Sequence, residues 1–407
     1  MSFDRIHFGN IADFRNGLNY SRENMGVGLK VINVGDFGDR MLPDYESLGE
    51  IDPSGVAGDN DLLQEGDLLF VRSNGNRELV GRVMYITSPP QPVAYSGFCI
   101  RARMNAELVN PKFYYYLFRC KETRMSLVTG GVGANIVNVS QKTLTRFDAV
   151  HPPRDVQDKC VFALSTYDDL IDANRRRIQL LEKSAQLLYR EWFVKLRFPG
   201  HEMAPAIDGV PEGWGKISLG AIVGFQKGRK PTAVYSEYQE GAVPHLLIDA
   251  MRGTSKREYC LPDKLVEVTD TDTIMVMDGS GSCELFLGYS GAIGSTLGRY
   301  RINQQSIPSP HWLYLLMLDN QREFKARNIG AAIPHANKDF INSYVVMTPS
   351  QAIAEKFELA VAPIFRQLIA LRQYNEALVN ARDLLLPKLL SGALDASRII
   401  IPKEIEA

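Results

Sequence analysis

Residues 156–193 read VQDKCVFALSTYDDLIDANRRRIQLLEKSAQLLYREWF, and residues 353–390 read IAEKFELAVAPIFRQLIALRQYNEALVNARDLLLPKLL. The two stretches align without a gap under one offset of 197 positions. Lys159 then meets Lys356, Ala163 meets Ala360, Ala173 meets Ala370 and Arg175 meets Arg372. Leu181 meets Leu378, and Leu187-Leu188 meets Leu384-Leu385. A repeat spaced this widely exceeds the roughly 20–50 residues of a solenoid unit. It implies two copies of a whole module, each a globular part followed by a long helix.

The helical reading rests on spacing. In the first stretch Val156, Cys160, Ala163, Tyr167, Ile171, Ile178, Leu181, Ala185, Leu188 and Trp192 recur in steps of three and four, while Asp168, Asp169, Arg175, Arg176 and Glu182 fill other faces. Asp155 reads as its N-cap and Phe198-Pro199-Gly200 as its end. In the second, Ser350 is the cap, Ile353, Phe357, Ala360, Ile364, Leu368, Leu371, Leu378 and Leu385 form the stripe, and Gly392 closes it. Pro363 is expected to bend or interrupt the first turns. Each helix of about 36 residues runs ~54 Å at ~1.5 Å per residue. One apolar stripe of that length needs a mate, and the other copy supplies it. Antiparallel pairing would bring Tyr167, Ile178, Leu181, Leu188 and Trp192 against Ile364, Leu371, Leu378 and Leu385, with Asn174 and Asn375 favouring one register.

Working outward, residues 1–155 read as a turn-rich mixed α/β domain closed by Pro152-Pro153. The long helix follows at 156–198, a Pro/Gly-rich linker at 199–213, a second globular domain at 214–349, the distal helix at 350–393 and a tail at 394–407. The fold class is α+β. The second domain echoes the first at Leu219–Gly228 against Phe8–Gly17, at Asp272–Val276 against Asp67–Val71, and at Pro310–Tyr314 against Pro111–Tyr115. These offsets are 211, 205 and 199. The globular parts have drifted by insertion and deletion; the helices have not.

Composition sets bounds. Hydrophobic residues make up 45% and charged residues 23%, as in an ordinary globular protein. No run approaches ~18 uncharged apolar residues, so no membrane span is expected, and Met-Ser-Phe-Asp-Arg-Ile-His lacks the pattern of a secretory signal. A cytoplasmic location follows. Cys99, Cys120, Cys160, Cys260 and Cys283 include no C-x-x-C pair and read as buried free thiols. The six histidines show no metal spacing. A net charge of −1 predicts modest non-specific affinity for DNA without a partner.

Further residues carry a resemblance. Leu180 to Phe193, running into Arg197-Phe198-Pro199-Gly200-His201-Glu202, resembles the central conserved region of type I restriction-modification specificity (HsdS) subunits. Leu384 to Gly392 resembles that family's distal conserved region, and the order globular, helix, globular, helix spans the whole chain. The resemblance implies two target-recognition domains, each reading one half of a bipartite double-stranded DNA sequence. It also implies an antiparallel coiled coil that sets the spacer and docks two modification (methyltransferase) subunits, with one or two restriction (motor-nuclease) subunits able to join. S-adenosylmethionine would belong to the modification subunits, ATP and Mg²⁺ to the restriction subunit, and no cofactor or catalytic residue to this chain.

The residues agree that chemistry lies elsewhere. Ser88-Pro89-Pro90-Gln91 and His151-Pro152-Pro153-Arg154 lack the leading amide or carboxylate and trailing aromatic of an amino-methyltransferase motif, and no G-x-x-x-x-G-K-[ST] loop occurs. Base reading needs Arg, Lys, Asn, Gln, Ser or His on reaching loops. The first domain offers Arg15-Asn16-Gly17, then Arg72, Ser73, Asn74, Asn76 and Arg77, then Asn135 with Gln141 and Lys142. The second offers Lys227, Arg229 and Lys230, a basic loop with Arg252, then Ser280 and Ser282, and finally His335, Asn337 and Lys338. A specificity subunit of a methyltransferase-only or combined system, a protein-binding adaptor and a self-contained enzyme are the alternatives.

Overall fold

Two larger sheets and a β1-β9 pair carry the first module of the computed structural model, which describes residues 3–37, 42–76, 79–129, 138–207, 209–253, 257–303, 309–330 and 333–402. In chain order the module runs β1 (Arg5–His7), β2 (Ala12–Asn16), β3 (Met25–Ile32), β4 (Gly49–Ile51), β5 (Leu68–Val71), β6 (Val83–Tyr85), β7 (Val93–Tyr95) and β8 (Cys99–Met104). Helices α1 (Pro111–Arg119), α2 (Lys121–Thr129) and α3 (Gln141–Thr145), strand β9 (Asp148–Val150) and the long α4 (Arg154–Tyr189) follow. One sheet has the order β2-β8-β5-β6, the other β4-β3-β7 with β3 and β7 parallel.

The pleat explains the layers. All of β5 is buried. Its Leu68 and Phe70 join the cluster of α1, while Leu69 and Val71 join Ile32, Val93 and Tyr95 of the second sheet. A strand covered on both faces reads as a continuous apolar run. Helix α1 starts where expected: the Asn110 side chain accepts the Lys112 N–H at 3.0 Å, and Pro111 takes the first helical position.

The second module repeats the plan. After the β10 (Ala206–Ile207) and β11 (Val210–Pro211) hairpin come β12 (Gly215–Ser218), α5 (Leu219–Ile222), β13 (Val223–Lys227), β14 (Val243–Leu246), α6 (Ile248–Met251), β15 (Glu258–Cys260) and β16 (Val266–Val268). Then follow β17 (Thr273–Val276), β18 (Leu285–Phe286), β19 (Gly291–Ile293), β20 (Leu297–Ile302), α7 (Pro310–Asp319), α8 (Gln321–Ala326), α9 (Lys338–Ser343), β21 (Val345–Thr348) and the long α10 (Gln351–Leu390). Its sheets are ordered β13-β20-β17-β18 and β15-β14-β19-β16, with β14 and β19 parallel. Ser309 caps α7 by accepting the Trp312 N–H at 3.1 Å, and Pro310 holds the first helical position as Pro111 does in α1.

The shared aspartates of the echo have a job. Asp67 is 1% exposed. It accepts the Gln64 N–H at 2.8 Å and both Arg103 Nε and Nη2 at 2.7 Å. Asp272 accepts the Thr269 N–H at 2.8 Å and the forked guanidinium of Arg301. Each carboxylate fixes the turn into a central strand and grips an arginine from the neighbouring strand, in the bidentate geometry that charge-assisted pairs favour. The five cysteines are free and buried, and burial pushes the Cys99 thiol up to about 12.

Two compact units divide the chain: Met1–Ile171 with Ala377–Ala407, and Asp172–Glu376. In the first, the start of α4 packs with the end of α10: Cys160 and Leu164 share a cluster with Leu386, Leu389 and Leu390, and Leu385 packs against it. Tyr167 is partly buried and Leu378 buried. Asp168 and Arg382 form an ion pair of 2.5 Å, 5% and 6% exposed, and the Tyr116 hydroxyl donates to the same carboxylate at 2.6 Å. Asp168 is thus corrected from a surface charge to a seam residue; its partner lies 214 positions away, so no local pattern shows it. In the second unit the end of α4 packs with the start of α10. Ala185, Tyr189, Trp192 and Phe193 share a cluster with Ile353, Phe357, Val361 and Phe365, with Leu188 and Ile364 at its edge. Trp192 meets Phe357 edge-on, centroids 5.5 Å apart. Ile178, Leu181 and Leu371 are partly buried. Asn174 donates to Asn375 at 2.9 Å, as their shared interruption of the stripes suggests. Within each unit the two helices run antiparallel.

Helix ends differ in detail from expectation. Pro153 carries the first carbonyl of α4, accepting from Val156 and Gln157, and Asp155 lies inside the first turn. Helix α10 continues through Pro363 instead of breaking there. Pro363 faces solvent while Val361, Phe365 and Leu368 are buried, so packing on the opposite face holds the helix across the missing N–H. A π-helical turn, Arg190–Val194, ends the first long helix and turns Trp192 and Phe193 inward. Gly392, at φ 72, ends α10 and donates to Leu389 at 3.2 Å.

Candidate nucleic-acid interface

In the first module three polar stretches that are far apart in sequence meet at one edge of the main sheet. Gly17, after β2, donates its N–H to Cys99 at 3.2 Å. Arg72, after β5, donates to Phe98 at 2.8 Å and accepts from Val139 at 2.9 Å. The segment before α3 therefore lies beside the segment after β5. The approach needs a glycine: a Cβ on Gly17 would stand 2.3 Å from the carbonyl oxygens of Tyr95 and Ser96. Around this junction sit exposed Asn16 and Arg15, partly buried Arg72, Ser73 and Asn74, exposed Asn76, partly buried Gln141 and exposed Lys142. Ser140 caps α3 by accepting from Thr143 at 3.0 Å, which fixes Gln141 and Lys142 on its first turn. Arg77 and Asn135 lie outside the described residues.

The second module makes the same junction with the same bonds. Gly228 donates to Leu297 at 2.8 Å, Met277 donates to Thr296 at 2.7 Å, and Ala336 donates to Met277 at 2.8 Å. A Cβ on Gly228 would stand 2.2 Å from the Gly294 carbonyl oxygen. Lys227, exposed Arg229 and Lys230, Ser280, His335, Asn337 and Lys338 gather here. Asn337 spends its side-chain oxygen as the cap of α9, accepting from Phe340 at 3.1 Å. Lys338 Nζ lies 4.8 Å from the centre of the Phe225 ring. Ser282 needs correcting as a reading residue: it is 1% exposed and its hydroxyl accepts from Asn328, because the loop folds it inward. Arg252 follows α6 and pairs with Glu284, its Nε 3.1 Å from the carboxylate. Lys256 lies outside the described residues, and Arg257 pairs with Glu376 of α10 at 2.6 Å.

Charge at both junctions is restrained. Arg15 pairs with Asp61 at 2.7 Å, Arg229 donates to the Lys264 carbonyl at 3.3 Å, and Arg72 donates to the Gly97 carbonyl at 3.5 Å. Asp278 binds Lys227 Nζ at 3.0 Å and His335 Nδ1 at 2.7 Å. Burial alone would raise the Asp278 carboxyl, but these two hydrogen-bonding partners outweigh it and hold it below the usual carboxylate range. Equivalent positions hold different chemistry. Asn16 faces Lys227, Arg72 faces Met277, and exposed Phe98 faces exposed Thr296 in the alignment the backbone bonds define. A search for polar residues passes over Phe98; its signal is a lone aromatic between a glycine turn and a strand.

Among the described residues no helix is long and apolar enough to cross a membrane, and no cluster of His, Cys, Asp or Glu could hold a metal ion. A family model, the type I restriction modification DNA specificity domain, matches residues 9–183. The MjaIX specificity subunit of a type I restriction enzyme from Methanocaldococcus jannaschii is 25% identical over 298 residues, covering 70% of this chain and 69% of that one. The HindI specificity subunit from Haemophilus influenzae is 21% identical over 435 residues, covering 89% and 94%. In fold, the chain resembles the crystal structure of the type-I restriction-modification system S subunit from M. genitalium, with a TM-score of 0.55 at 14% identity over 96% of each chain. Along most of its length the chain is similar to specificity subunits of type I restriction enzymes, and most of its first module lies within the matched DNA specificity domain.

Proposed function

We propose that each module reads one half of an asymmetric, split DNA sequence, and that the paired helices set the spacer and dock two methyltransferase subunits. The chain performs no chemistry itself. S-adenosylmethionine enters with the modification subunits, and ATP with Mg²⁺ enters with one or two restriction subunits, all acting on double-stranded DNA in the cytoplasm. The observation that carries the reading is the junction built twice by the same backbone bonds and furnished with different side chains. Equal architecture supports equal placement on a duplex, and unequal side chains support unequal half-sites.

Selection from a randomised duplex library by the chain together with its methyltransferase partner tests this. The expected product is two short conserved blocks separated by an unconserved spacer. Arg72→Ala should relax the block read by the first module and leave the other intact. A single continuous consensus, or none, would sink the reading. Binding insensitive to charge removal at Arg72 and Lys338 would favour a protein adaptor instead.

A further inference from the structure

Phe98 is 63% exposed, and among the described residues no other phenylalanine is exposed. Single exposed apolar side chains are common; the position of this one sets it apart. It ends the short link from β7 to β8, and that link is pinned on every side. Ser96 donates to Ile32 at 3.0 Å, Gly97 to Leu18 at 2.7 Å, Cys99 to Ser96 at 2.8 Å and Arg72 to Phe98 at 2.8 Å. A Cβ on Gly97 would stand 3.2 Å from the Leu18 carbonyl oxygen, so the link runs close against the segment after β2. The ring therefore stands in solvent on a fixed base, at the point where the segments bearing Asn16, Arg72 and Gln141 converge. Hydrogen-bonding side chains surrounding one rigid apolar ring match the needs of a nucleic-acid surface: polar groups for base edges and phosphates, an apolar group for a base face or a gap between steps.

Building on the split-site reading, we propose that Phe98 is a wedge that enters the stack of the half-site read by the first module, and that the second module reads its half-site without one. Thr296 holds the equivalent place there, bonded through Met277 as Phe98 is through Arg72. Its short hydroxyl-bearing side chain can touch a base edge but cannot replace a stacked neighbour. The two modules thus differ in kind: the first deforms its target and reads deformability along with sequence, and the second reads edges.

The test uses the full chain with its methyltransferase partner and its selected duplex, in which 2-aminopurine replaces one base at a time. Wild type is expected to give a fluorescence rise at one step of the first half-site, lost in Phe98→Ala, together with roughly ten- to hundredfold weaker binding. Thr296→Phe should create a new rise in the second half-site. A base extruded by the methyltransferase would also fluoresce, but that signal persists in Phe98→Ala. Because Phe98 is exposed, an unchanged melting temperature shows that the variant is folded. No Phe98-dependent rise anywhere in the first half-site overturns the proposal while leaving the split-site reading intact. Absence of a split consensus in wild type overturns that reading itself.

Discussion

Asp67 and Asp272 show how much one side chain carries in each module. Neither can lose its negative charge without leaving a forked guanidinium and a turn N–H underused. Asp67→Asn, nearly the same in shape, is expected to cost about 2–3 kcal/mol of stability, measured by denaturant unfolding of the whole chain. Asp278 carries a different burden, since it holds both Lys227 and His335 where the loops of the second module converge. Asp278→Asn should raise non-specific DNA affinity and steepen its salt dependence, because Lys227 and His335 are released toward phosphate, while selectivity in the second half-site falls. The pH sign is fixed by the direction of its shift. A carboxyl held low in the folded state contributes fully above its unfolded value near 3.9 and loses that contribution as pH falls through the lower folded value. The difference in melting temperature between wild type and Asp278→Asn should be present at about pH 5 and shrink below about pH 4. Residue types at the junctions were legible in sequence. Their pairings with Asp61, Asp278 and Glu284 were not, because each joins chain segments that share no local pattern.

At the scale of elements, the long helices were the most readable parts, since thirty-odd residues of period three to four leave little ambiguity. Asn174 and Asn375 could be picked out as interruptions of two stripes, and they meet. Asp168 could not, because an aspartate flanked by Asp169 looks like solvent-facing charge until Arg382 and Tyr116 are seen around it. Removing one member of this buried pair should be worse than removing both. Arg382→Met is expected to cost about 3–5 kcal/mol, and adding Asp168→Leu should recover most of that loss, with equilibrium unfolding of the singles and the double as the measurement. Pro363 marks the reverse failure. A local rule allowed a bend or an interruption there; the helix is not interrupted, because packing of its opposite face holds it.

At the scale of the molecule, the ungapped helical repeat and the shifting globular offsets correctly foretold two modules of one plan. The sheet orders were beyond reach, because β3 pairs in parallel with β7 and β14 with β19 across long excursions that alternation alone does not specify. Nor does sequence show that each compact unit takes residues from both long helices. The first unit is closed by Leu386, Leu389, Leu390 and Ala396, which enter the same cluster as Phe8 and Phe113. A chain ending after Glu376 should therefore expose sites in the first module to limited proteolysis while Asp172–Glu376 stays protected.

That closure also orders events on the ribosome. Residues 1–171 emerge first, yet their missing wall begins at residue 377. At ~5–20 residues per second the wait is roughly 10–40 s. During it the second unit can complete itself, while the first holds an open apolar flank. The domain written first is thus the last to be finished, and its closure waits until the residues that follow 376 have been made.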